Sequence, residues 1–97
     1  MNFTNTPDAQ TNGTCLQGTI YTHYCTLVEK FGEPTFGTST YGNDDKVTVE
    51  WVLEFEDGTV ATIYDWKCRQ TPGQYFWHVG GFDRRAVELV EGALNDE

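Results

Sequence analysis

The sequence predicts an α+β domain: a helix, a three- or four-stranded antiparallel β-meander and a closing C-terminal helix. Three observations predict it. Residues 46–67, KVTVEWVLEFEDGTVATIYDWK, hold two β-patterned runs around Asp57-Gly58, a strong short-range hairpin signal. Tyr24, Leu27, Val28 and Phe31 recur at i, i+3, i+4 and i+7, the stripe of a half-buried helix. Ala86, Leu89, Val90, Ala93 and Leu94 repeat that stripe near the C-terminus.

In chain order, residues 1–14 are polar and rich in Asn, Thr and Gly, which predicts a mobile N-terminal arm before a single domain over 15–97. Cys15 to Ile20 reads as a short strand, giving the sheet an N-terminal edge. Thr22 is the expected N-cap of the first helix, Gly32 its C-terminal cap, and Pro34 prevents its continuation. A loop over 35–45 then covers a neighbour or moves.

The hairpin admits two registers. With Asp57-Gly58 as a two-residue turn, Trp51 faces Tyr64, and Glu50 lies opposite Asp65. With Glu56-Asp57-Gly58 as a three-residue turn and Gly58 left-handed, Leu53 faces Ala61 and Trp51 faces Ile63. Tyr64 and Trp66 then join Glu50, Val52 and Glu54 on the other face. The second register is favoured because it avoids two like charges directly opposed. Tyr75 to Val79 is the third strand, ended by Gly80-Gly81, and Asp83 is the expected N-cap of the last helix. Because neighbours on a strand alternate, at least one of Tyr75, Phe76 and Trp77 is expected to face outward.

At 97 residues the chain is long enough for one modest core, and its 14% aromatic content supplies large side chains for it. Fifteen acidic residues against six basic ones give a formal charge of -9. Such a surface repels nucleic acid and anionic membranes and suits solubility or a basic protein partner. No stretch approaches a membrane span. The first fourteen residues have neither a basic patch nor an apolar run, so no signal peptide is expected. The odd set Cys15, Cys25 and Cys68 points to a reducing compartment, hence the cytoplasm.

Chemistry-bearing patterns are sparse. His23, His78 and the cysteines lack metal-ligand spacing, and no nucleophile sits on a base, so no metal, cofactor or catalytic residue is expected. Glu50, Glu54, Glu56, Asp57 and Asp65 cluster along the hairpin. They read either as the solvated face of an amphipathic hairpin or as carboxylates presented to Lys and Arg of a partner, with Tyr64 and Trp66 as aromatic anchors. Arg84 and Arg85 lie in the first turn of the last helix, where cations oppose the helix dipole. They either pair with carboxylates such as Glu88 or, with Trp77 as a stacking ring, hold an anionic ligand such as a nucleotide.

Leu27 to Pro34 (LVEKFGEP), Glu50 to Lys67 (EWVLEFEDGTVATIYDWK) and Trp77 to Gly81 (WHVGG) together resemble small uncharacterised bacteriophage proteins. The resemblance covers about residues 20 to 82. The order of helix, Phe-Gly-x-Pro and meander is also similar to repeats of outer-membrane lipoprotein and β-lactamase-inhibitor-like folds, as a fold analogy only. The phage resemblance implies an anti-defence inhibitor of the anti-CRISPR kind. Such a protein would act in the host cytoplasm by stoichiometric binding to a basic, nucleic-acid-handling host protein, with no direct contact to nucleic acid or membrane and with self-association open to it.

Overall fold

The computed structural model describes residues 2–6, 9, 11–36, 47–66 and 71–95. Five strands and two helices follow one another as β1 (Phe3–Asn5), β2 (Cys15–His23), α1 (Tyr24–Phe31), β3 (Glu50–Phe55), β4 (Val60–Tyr64), β5 (Gln74–Gly81) and α2 (Arg85–Asn95). They build one antiparallel sheet in the order β1-β3-β4-β5-β2. The fold is therefore α+β with the expected meander, β3-β4-β5, at its centre. Two strands flank it: β2, the expected N-terminal edge, and β1, which makes five strands where three or four were expected.

The three-residue turn is the one adopted. Trp51 pairs with Ile63 and Leu53 with Ala61, the Phe55 amide bonds to the Thr59 carbonyl at 2.8 Å, and Gly58 has φ 91°. A left-handed backbone there favours glycine, which fixes the register and so the face of every side chain. Trp51, Leu53 and Phe55 meet Ala61 and Ile63, then Trp77 and Val79, on a face covered by both helices. Leu27 and Phe31 from α1, with Ala86, Val87 and Val90 from α2, complete that core. Val87 lies outside the stripe read from the sequence, yet it is 4% exposed.

Two buried indoles seat α1. Trp77 Nε1 donates to the Thr22 carbonyl at 3.0 Å, just before the helix, and Trp51 Nε1 donates to the Gly32 carbonyl at 2.8 Å, just after it. The two rings meet edge to face at 5.6 Å between centroids. Each apolar body fills the core while its one donor satisfies a helix-flanking carbonyl.

Four expectations need correction. The N-terminal residues do not all form an arm: Phe3–Asn5 is β1, because Phe3 packs on Phe31 and Phe55, and Asn5 Nδ2 donates to the Phe31 and Glu33 carbonyls at 3.0 and 2.9 Å. The first long strand runs on to His23, still paired with Gln74, so the N-cap falls on His23 rather than Thr22. The His23 ring accepts from the Cys25 amide at 3.0 Å. The last strand continues through Gly80 and Gly81. A Cβ on Gly80 would come within 2.6 Å of Thr62 Oγ1, and one on Gly81 within 2.5 Å of the Ala86 Cβ, so both glycines serve close approach rather than termination. Gly32 and Asp83 do cap as expected, the latter accepting from the Arg85 amide at 2.9 Å. Most of the predicted 35–45 loop, with Lys67 and Cys68, lies outside the described residues.

Candidate binding surface on the second sheet face

Strand alternation sends the other set of side chains to the face away from the helices, and the register arranges them in rows. Glu50, Tyr64, His78 and Thr19 form one row; Val52, Thr62, Gly80 and Leu16 form the next; Phe76 and Tyr21 form a third at the β5–β2 end. The middle of this face is buried, with Val52 at 2% and Thr62 at 3% exposure. Its flanks differ in chemistry. The β3 flank carries Glu50, half-buried, and Glu54, exposed, and continues into the exposed turn residues Glu56 and Asp57. The β5–β2 flank carries Tyr21 and Phe76, each 60% exposed, with their rings 4.4 Å apart.

Tyr64 lies between the flanks. Its ring stacks on His78 at 5.5 Å and 24°, and burial, then the nearby Glu50 carboxylate, raise its phenol above the usual value of 10.0. The Tyr75 hydroxyl sits 3.3 Å from His78 Nε2 and accepts from the Trp66 amide at 3.3 Å. Trp66 itself is 44% exposed just beyond β4.

Glu54, Glu56 and Asp57 thus gather at one margin, with Glu50 beside Tyr64. Asp65 does not join them. It is fully buried, and its carboxylate accepts from the Thr48 amide at 2.7 Å, the Thr48 hydroxyl at 2.6 Å and the Val49 amide at 3.3 Å. Asp65 therefore organises the approach to β3, with the Thr48 hydroxyl in turn 2.9 Å from that of Thr71.

The alternative ligand set is not assembled either. Trp77 is 0% exposed inside the core, so it offers no ring to a ligand. Arg85 pairs with Asp57 at 2.9 Å, whereas Arg84 is exposed. A cleft of about 480 Å³ opens elsewhere, between Lys30 of α1 and Glu88 of α2 over Phe3 and Phe55. Among the described residues no group of three or more His, Cys, Asp or Glu converges to hold a metal ion. No helix among them is long and apolar enough to cross a membrane.

Sequence reasoning missed Tyr21 and His78 as members of this face. The period-two pattern Thr19, Tyr21, His23 was present in the sequence, but a strand assigned only to Ile20 hides it. Comparison with protein-family models, curated proteins and solved structures returned no match.

Proposed function

We propose that this chain is a non-enzymatic binding protein that engages a basic, nucleic-acid-handling protein through its acidic margin, Glu50, Glu54 and Glu56, with Tyr64 and Trp66 as anchors and with Asp57 held within the chain by Arg85 and Thr59. One observation carries the reading. The register that buries Trp51, Leu53 and Phe55 also sets Glu54 on the second face next to the exposed turn acids, and Glu50 on the same face in the row of Tyr64. Carboxylates at a rim steer a cationic partner and fix its register, while a half-buried aromatic beside them supplies desolvated contact area. The net charge of -9 extends the attraction beyond the contact itself. The resemblance to small phage proteins makes the partner a host defence protein of the CRISPR type or another nucleic-acid-handling one, occupied in place of its nucleic acid.

The test is capture from a bacterial host lysate on the tagged protein at low and at high salt, with mass spectrometry of what is retained. A basic nucleic-acid-handling protein held at low salt and released at high salt is the expected result. Retention of only a small ultraviolet-absorbing compound would replace this reading with one of ligand sequestration.

A further inference from the structure

The sheet's two edge strands are β1, three residues long, and β2, nine residues long, and they are finished differently. On the β1 side, short segments cover the outer side of β3 from end to end. Phe36 exchanges both backbone bonds with Glu50 at 2.9 and 2.8 Å, and Thr35 Oγ1 accepts from the Val52 amide at 2.8 Å. The Thr6 amide donates to the Val52 carbonyl at 3.0 Å, β1 pairs with residues 53–55, and the Asn2 carbonyl accepts from the Glu56 amide at 2.9 Å. At the far edge, β2 runs for nine residues with only β5 beside it, and among the described residues no strand pairs with its outer side.

Exposed edges are normally blunted by lysine, proline, shortness or a bulge. The β2 sequence, CLQGTIYTH, has no charged residue and no proline. Its single irregularity lies between Leu16 and Gly18, so Gly18 to His23 is regular. Leu16 and Tyr21 are 55% and 60% exposed, and Tyr21 is already stacked on Phe76.

We propose that two copies of this chain pair through β2, antiparallel about a two-fold axis, to form one continuous ten-stranded sheet. A second copy fits this edge for three reasons. Any two-fold centre within Gly18–His23 brings together uncharged residues only, so the seam escapes the repulsion that two chains of charge -9 meet elsewhere. A foreign peptide added to an edge draws its specificity from side-chain pockets along that edge, whereas an identical strand draws it from its own self-complementary surface. A second copy needs no such pockets, because it brings its own Tyr21–Phe76 pair against the first. Across the strands the two β3 strands then lie seven strand spacings apart, about 34 Å at ~4.8 Å each, with their turns at opposite ends of the sheet.

Sedimentation and light scattering over a concentration series test this, with hydrogen exchange of the wild type alongside. At concentrations on the order of 100 µM, suited to a small interface, the mass rises toward twice the 11.0 kDa of one chain. Added salt increases the dimer, because it screens the chains' mutual repulsion and leaves a neutral seam untouched. This is the reverse of what salt does to the partner binding proposed above, so the two readings fail independently. Alternate amides of Cys15–His23 gain protection as concentration rises. Tyr21→Lys and, separately, Thr19→Lys set like charges near the seam and keep the chain monomeric. A wild-type mass of one chain throughout, a dimer indifferent to both variants, or β2 protection independent of concentration would overturn the proposal.

Discussion

Arg85 Nε lies 2.9 Å from Asp57 Oδ2, so the β3–β4 turn is tied to the first turn of α2 across 28 positions of sequence. Two residues read from the sequence as parts of different sites are each other's partners. The pair explains why a cation is tolerated at a helix N-terminus, where the dipole disfavours it.

The Asp57 carboxyl is pulled from its ordinary 3.8 down to about 2, first by the Thr59 amide, then by the Thr59 hydroxyl, then by Arg85. A carboxyl depressed in the folded state contributes stability above its unfolded value and loses it as pH falls through the folded one. That contribution therefore disappears between about pH 4 and pH 2. Carboxyl chemical shifts in Arg85→Ala should titrate above the wild-type midpoint but still below 3.8, because the Thr59 contacts remain. A full return to 3.8 would make the ion pair the dominant cause.

Asp65→Ala strips a buried acceptor from two amides and a hydroxyl and is expected to destabilise by about 2–4 kcal/mol in urea unfolding. Asp65→Asn should lose clearly less. The amide oxygen can still accept from Thr48 and Val49, while the Thr48 hydroxyl turns to accept from the new amide and donate to Thr71. Equal losses for the two variants would contradict this bonding scheme.

Asn5 donates to two carbonyls at the C-terminal end of α1 and accepts from the Thr35 hydroxyl. Asn5→Ala should cost about 1–2 kcal/mol by thermal or urea denaturation. Asn5→Asp, although closer in shape, should cost more. It cannot donate, and it brings negative charge to the negative end of a helix.

Gly81→Ala forces its Cβ against Ala86 and within 3.1 Å of the Val60 carbonyl, an overpacking expected to cost about 1–3 kcal/mol. In an Ala86→Gly background the same change should cost less, since one of the two clashes is gone. A double-mutant cycle reads the difference directly, and strict additivity would contradict the contact.

The hairpin, both helix stripes and the three-residue turn were legible because each rests on a period or on a residue with one strong conformational use, such as Gly58. Three features were not, for different reasons. Phe3-Thr4-Asn5 is too short to show a period, and its strand state is set by tertiary bonds from Asn5 to α1. The His23 cap was obscured by Thr22, the commoner capping type, because strand pairing to Gln74 overrides local preference. Asp65 was grouped with the hairpin acids by its place in the sequence, although alternation in the three-residue-turn register already sets it on the side of Ala61 and Ile63, where the structure buries it. The acidic margin was half visible: its residues could be named, but which of them remain at the surface depended on register and on the Thr48 bonds.

The acidic margin is the central claim. Its most direct test is calorimetric titration of the protein captured at low salt into wild type and into a Glu54→Lys, Glu56→Lys variant, at two salt concentrations. Neither residue is buried, so the fold should survive the change. The account predicts wild-type affinity that falls steeply with salt, and a variant at least about tenfold weaker at low salt. Equal affinity for the two proteins, or binding indifferent to salt, would contradict it.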